Sequence, residues 1–230
     1  MSLLTLICAR SNSKGIKDKN IRQFNNKPLI YYSIKQALKS KYIKEVYVST
    51  DSNRVSKISQ KYGAKVKFIR SKKLAKDDTP EIDVWRDAIL KIQKINNKKY
   101  SHLCVIPATS PLRKTKDIDN SLKIFRKNNC DGVLSITKSS KNPYYNMVKI
   151  ERNNIKVLLS KNKYFFQRQK APDTFDITTV AYIMSTKFIF KTKNILEGKL
   201  KFNIIPKERS IDIDDIIDFK FAEFLHRNKI

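Results

Sequence analysis

Short apolar runs alternate with amphipathic stretches over the first two-thirds of the chain. Leu3–Ala9 reads as a strand, and Ile30, Ile34, Ala37 and Leu38 follow at helical spacing. Glu45–Ser49 reads as a second strand, and Thr50-Asp51-Ser52 behind it offers a cap for the next helix and can project into a cleft. Gly63 closes that helix, and Lys65–Ile69 reads as a third strand. Val84, Ala88, Ile92 and Ile95 mark another helix, and His102–Ile106 another short strand. Thr115 or Asp117 caps a helix carrying Ile118, Leu122 and Phe125, and Gly132–Thr137 is the next strand. Strands separated by helices in this rhythm predict βαβ crossovers and an α/β fold with a mostly parallel sheet.

Beyond residue 140 the rhythm changes. Tyr144–Ile150 and Ile155–Leu159 flank Glu151-Arg152-Asn153-Asn154, which predicts a β-hairpin. A polar, aromatic-rich stretch around Tyr164–Arg168 follows, then strands at Val180–Ser185 and Phe202–Ile205. A final helix places Ile217, Phe221, Phe224 and Leu225 on one face. The hairpin makes residues 140–178 read as an inserted arm, suited to pack on a second subunit or to act as a lid. The expectation is one domain over 1–230 that includes this arm.

Composition narrows the class. A 40% hydrophobic content excludes wholesale disorder. No apolar run approaches the ~18 residues of a membrane span. Leu3–Ala9 is too short for a signal peptide and runs straight into a basic loop, so the expected compartment is the cytoplasm. Cys8, Cys104 and Cys130 are odd in number and widely spaced, as expected of reduced cysteines without a disulfide framework or zinc site. The net charge of +28 fits either nucleic-acid binding or a lysine-rich solvated surface. With 38 Lys against 11 Arg scattered over almost every segment, the second reading is favoured. Such a charge still draws a small polyanion toward a cleft.

Four segments carry candidate chemistry. Arg10-Ser11-Asn12-Ser13-Lys14-Gly15-Ile16-Lys17-Asp18-Lys19-Asn20 follows the first strand, where open α/β sheets bind ligands and backbone N–H groups make an anion-binding concavity. It reads equally as a solvated basic loop. Pro107-Ala108-Thr109-Ser110-Pro111-Leu112-Arg113 offers two hydroxyls between prolines, or simply a rigid turn. Asp212 and Asp214 lie two apart in an extended stretch, so their carboxylates share a side and suit Mg²⁺. The alternative is a helix N-terminus enriched in Asp, which fits Asp215 and Asp218 better than Asp212. Gln167-Arg168-Gln169 in the arm can clamp a carboxylate. His102 and His226 suggest no histidine-based triad, and neither a Walker A sequence nor G-x-G-x-x-G occurs.

In combination these blocks resemble the acylneuraminate cytidylyltransferases, the CMP-sialic acid synthetase family. The matching blocks are A-R-S-x-S-K-G-[IL]-x-x-K-N at Ala9–Asn20, K-P-L at Lys27–Leu29 and S-T-D-S at Ser49–Ser52. T-S-P-L-R at Thr109–Arg113 and D-I-D-x-x-x-D at Asp212–Asp218 complete them, in family order. The resemblance implies a Rossmann-like nucleotidyltransferase fold, three-layer α/β/α, with a projecting dimerisation arm and a homodimer. It implies that CTP activates a nine-carbon 2-keto sugar acid for lipopolysaccharide or capsule synthesis, with Mg²⁺ as cofactor. By that analogy Arg10, Ser13 and Lys19 hold the triphosphate, helped by Ser11, Asn12, Lys14 and Gly15. Asn20 and Arg70 lie near the cytidine, Thr79 also binds CTP, Asp212 and Asp214 bind Mg²⁺, and Arg10, Lys19 and Asp214 carry the catalysis. Arg168 meets the sugar carboxylate, with Thr109, Ser110, Gln169 and Tyr182 nearby. No membrane or dedicated nucleic-acid partner is implied. The competing readings are a basic nucleic-acid-binding protein and a non-catalytic sugar-nucleotide-binding relative.

Two positions depart from the family pattern. Pro107 stands where a sugar-contacting Gln is common, and Asp176 stands where an Arg is expected, which reverses charge near the sugar. The triphosphate and metal blocks are intact while the sugar side differs, so the sugar acid itself stays open between sialic, legionaminic and pseudaminic types.

Overall fold

A six-stranded sheet organises the computed structural model, which describes residues 2–159 and 165–230. Its strands are β1 (Leu3–Cys8), β4 (Tyr47–Ser49), β5 (His102–Val105), β6 (Gly132–Lys138), β9 (Phe175–Ser185) and β10 (Leu200–Ile204). Two small hairpins complete the numbering, β2 (Gln23–Phe24) with β3 (Lys27–Pro28) and β7 (Val148–Glu151) with β8 (Asn154–Val157). The spatial order is β10-β6-β9-β5-β1-β4. β1 runs parallel to β4 and β5, and β10 parallel to β6, while β9 is antiparallel to both its neighbours. The sheet is therefore mostly parallel, as the alternating pattern predicts.

Helices cover both faces. On one side lie α1 (Leu29–Leu38), α2 (Asn53–Lys61) and α4 (Thr115–Lys127), on the other α3 (Glu81–Asn96) and α5 (Thr186–Lys191). Strand alternation sorts the core: Leu4 and Leu6 join Trp85, Ile89 and Met184, while Ile7 joins Ile30, Ile34 and Leu122. Each such side chain contributes about 1.5–3 kcal/mol when fully buried. A third cluster bears most on function. It packs Ile16 of the basic loop and Ile213 of the acidic segment against Phe24, Leu29 and Phe219, the last on α6 (Ile216–Arg227). Two loops far apart in sequence thereby share one apolar floor.

Local signals explain most boundaries. Ser52 caps α2 by accepting from Val55 N–H at 3.3 Å, and Gly63 follows that helix at φ +99°. Asp117 accepts from Lys114 N–H at 2.8 Å at the start of α4. Arg152 and Asn153, at φ 48° and 63°, make the two-residue turn between β7 and β8, a shorter hairpin than the sequence suggests.

Three expectations are corrected. Residues 65–69 make only isolated bridges, Tyr47 with Lys65 and Thr50 with Ile69, because the short β4 gives them too little edge to pair with. β9 begins at Phe175, not Val180, since its first residues pair with the end of β6. On α6 the buried residues are Phe219, Ala222 and Leu225, while Ile217, Phe221 and Phe224 are exposed. The acidic N-terminal turn, anchored by Ile213, fixes the rotation of that helix. Tyr164 lies outside the described residues; Arg168–Lys170 form a single 3-10 turn.

The β6–β9 pairing contains a slip. Leu134 faces Tyr182, yet Ile136 faces Ile177, so the intervening residues of β9 bulge. Ser135 mends the backbone there: its hydroxyl donates to Ala181 C=O at 3.0 Å and accepts from Ala181 N–H at 3.2 Å. The bulge turns Thr178 toward Ser210 C=O at 2.9 Å, and Thr179 toward Ser110 Oγ at 2.6 Å.

Candidate active site at the carboxyl edge of the sheet

The carboxyl ends of β1, β4 and β5 bring together residues 10–20, 50–52 and 106–113. The basic loop is tied down on its inner side. Ser11 donates both its N–H and its hydroxyl to the Asp51 carboxylate, at 2.8 and 2.5 Å. Burial opposes ionisation of Asp51, but those two bonds and the Arg70 charge outweigh it and hold the carboxyl below its usual range. Asn20 donates to Arg10 C=O at 2.9 Å, closing the loop on itself. Lys19 donates to Ile213 C=O at 2.6 Å and lies 3.6 Å from Asp214 Oδ1. At Gly15 a Cβ would stand 2.0 Å from Asp214 C=O, so only glycine permits this approach of loop to acidic segment.

Arg10 and Lys14 both pair with Asp77, at 2.5 and 3.1 Å. Lys14 and Arg10 in turn hold the Asp77 carboxyl below its usual value. Arg10, Arg70, Thr79 and Glu81 line one cleft with Cys8 at its base. Arg70 is only 4% exposed, and its Nε is a buried donor without a partner among the described residues. Thr79 donates to Lys73 C=O at 3.3 Å. Glu81 was not singled out by sequence reasoning, since an acidic residue opening a helix is ordinary. Desolvation and the Asp212 charge push its carboxyl up. Burial also pushes the Cys8 thiol up to about 12, so it is inert as a nucleophile at neutral pH.

A second depression adjoins Asp212 and is lined by Thr137, Lys138, Asp176, Thr178 and Lys207. Asp212 Oδ1 is buried with no hydrogen-bond partner among the described residues, whereas the Asp214 side chain is 82% exposed. An orphaned carboxylate oxygen, with Asp214 two residues on along the chain, is a donor set of the kind a hard cation takes. Among the described residues no group of three or more acidic, His or Cys side chains is placed to hold a metal ion. Asp215 and Asp218 are occupied in capping α6: Asp215 accepts from Ile217 and Asp218 N–H, and Asp218 from Asp214 and Asp215 N–H.

The T-S-P-L-R segment is largely structural. Arg113 is 1% exposed and donates to Ser33 Oγ at 2.6 Å, Thr179 C=O at 3.2 Å and Pro107 C=O. Burial pulls its guanidinium down to about 9. Ser110 is buried and bonded to Thr179, with Thr109 Oγ1 at 3.3 Å from the same hydroxyl. Tyr182 is buried against Trp85 at 6.0 Å between ring centroids. Arg168 and Gln169 line a third depression, which shares Lys138 with the second. There Arg168 donates to Ser139 C=O at 2.8 Å. Ser13 and Asn12 have no side-chain bonds among the described residues; Asn12 is exposed and Ser13 half-buried.

A mostly parallel sheet, with a basic loop and an acidic segment joined at its carboxyl edge, defines an α/β protein of the nucleotidyltransferase class. The family described as cytidylyltransferase matches residues 4–229. The flagellin modification protein B of Campylobacter coli is 35% identical over 227 residues, covering 99% of this chain and 96% of that protein. The CMP-N,N′-diacetyllegionaminic acid synthase of Campylobacter jejuni is 36% identical over 223 residues, covering 97% and 94%. A solved CMP:2-keto-3-deoxy-manno-octonic acid synthetase complexed with CTP superposes with a TM-score of 0.76 at 15% identity, covering all of both chains, and shows the same Rossmann-like fold. The chain belongs to the cytidylyltransferase family.

Proposed function

We propose that this protein joins CTP to the anomeric hydroxyl of a nine-carbon 2-keto sugar acid, giving the CMP-sugar and pyrophosphate. The carrying observation is the junction of basic loop and carboxylate pair, made by Gly15 against Asp214, Lys19 on Ile213 and the shared floor of Ile16 and Ile213. The family and its legionaminic acid relative support the reading.

The sugar hydroxyl attacks the α-phosphorus in line with the departing pyrophosphate, so positioning and charge neutralisation dominate and no side-chain nucleophile is required. A triphosphate competes with Asp77 for Arg10 and Lys14, while Lys19 sits beside the carboxylate pair. These cations stabilise charge building on the leaving group. Arg70, whose Nε has no partner among the described residues, faces the nucleoside. Asp212 and Asp214 would hold Mg²⁺, which when bound polarises the α-phosphate and acidifies the attacking hydroxyl. Arg168 takes the sugar carboxylate, and the arm around β7 and β8 joins two subunits as a homodimer. The compartment is the cytoplasm, and the CMP-sugar feeds assembly of a surface glycan. None of the described helices is long and apolar enough to cross a membrane.

The test is pyrophosphate release from CTP, Mg²⁺ and a panel of nine-carbon keto acids. Release that requires both the acid and the metal is the expected result. Silence across the panel together with tight RNA binding at physiological salt would instead favour a nucleic-acid role for the +28 charge.

A further inference from the structure

The depression beside Asp212 holds more unspent polar capacity than the nucleotidyl transfer uses. Thr137 is only 9% exposed, and its hydroxyl bonds to nothing among the described residues. Asp176 faces it directly across the β6–β9 pairing, so both side chains stand on the same side of the sheet. Ser139 donates to Asp176 Oδ1 at 2.7 Å, which orients the carboxylate and leaves Oδ2 without a protein donor among the described residues. Half-buried Ile211 lines the same depression. A carboxylate acceptor, a buried hydroxyl and an apolar wall thus meet within one small space.

An acylamino group complements all three. Its N–H donates to the Asp176 carboxylate, its C=O accepts from the Thr137 hydroxyl, and its methyl packs on isoleucine. A bare hydroxyl supplies a donor but no methyl, and leaves Thr137 without its acceptor. We propose that Asp176 and Thr137 form a subsite for the second acylamino substituent of a diacylated sugar acid, the one a monoacylated acid lacks, and that Asp176 sets the preference for it. The inference rests on the cytidylyltransferase reading and adds which substituent is selected.

The experiment compares N,N′-diacetyllegionaminic acid, with two acetamido groups, and N-acetylneuraminic acid, with one, as substrates of the wild type and of Asp176→Ala, Asp176→Arg and Thr137→Val. Loss of a hydrogen bond to a charged group predicts about a ten-fold rise in KM for the diacetylated acid in Asp176→Ala, with KM for CTP unchanged. The ratio of kcat/KM between the two acids falls toward one in Asp176→Ala and Thr137→Val. In Asp176→Arg it shifts toward the neuraminic acid. Thermal melts confirm that each variant folds, and calorimetric binding of each acid reads the same preference without turnover. Ratios that stay within about two-fold of wild type in folded variants overturn the role of Asp176 and leave the activity standing. A wild type that turns over neither acid nor any other keto acid overturns the activity and the subsite together.

Discussion

Gly15 and Asp214 touch backbone to backbone, at a distance where a Cβ on Gly15 would lie 2.0 Å from the Asp214 carbonyl oxygen. The obstacle is main chain, which cannot rotate aside, so a substitution must displace one loop from the other. Gly15→Ala is expected to lower kcat/KM by roughly 100-fold, the cost of a misplacement near 1 Å in a reaction governed by alignment. Pyrophosphate release and a thermal melt measured together separate this from unfolding. Activity within about two-fold of wild type would show that the contact is dispensable.

Asp214→Asn is expected to remove most turnover, on the order of 100-fold or more, with an unchanged melt because the side chain is 82% exposed. Asp212→Asn is expected to do the same, and to raise the Mg²⁺ concentration needed for half-maximal rate. Near wild-type turnover with the same Mg²⁺ demand in both variants would refute the metal assignment.

Asp51 links acidity to stability. Its carboxyl titrates below the usual range in the folded protein, so the stability it contributes is present above the unfolded value and is lost as pH falls through the folded one. Asp51→Asn should therefore cost about 1–3 kcal/mol at pH 7, and the gap to wild type should close on acidification. Urea unfolding at several pH values reads this directly. A gap that widens toward low pH would have the wrong sign.

Arg113 braces Pro107, Ser33 and Thr179 from within the core. Arg113→Met fills much of the same volume but deletes every donor, leaving buried acceptors behind. A loss of about 2–5 kcal/mol is expected in urea unfolding. A variant as stable as wild type would mean that these acceptors find water.

Arg168→Ala tests the sugar side. KM for the sugar acid should rise while KM for CTP holds, as expected when ground-state binding of one substrate is removed. A selective loss of CTP affinity would exclude the proposed role.

Much of the carboxyl edge was legible in the sequence, because strand-then-loop patterns are local: Leu3–Ala9 into Arg10–Asn20 needs no tertiary knowledge. Pairings between loops were not. Nothing near Ser11 announces Asp51 as its partner, and the burial of Arg113 is set by α1 and β9 together. Arg113 looks like a ligand-reading cation in sequence and is a strut in the fold. The face of α6 was misjudged for a related reason. Ile217, Phe221, Phe224 and Leu225 form a valid apolar stripe, yet the anchor at Ile213 and the capping by Asp215 rotate Phe219 and Ala222 inward. Periodicity proposes two faces, and the end constraint chooses between them.

The slip in β9 has an evolutionary consequence. Ser135 locks the register of Tyr182–Met184 from the core side, while Phe175–Ile177 pair with the end of β6 in a separate register. A change in length or composition upstream of Phe175 is absorbed at the bulge before it reaches the core strands. The half of β9 that pairs with the end of β6 is in that sense an interchangeable part. Substitutions there can change what the segment presents while the core strands keep their register.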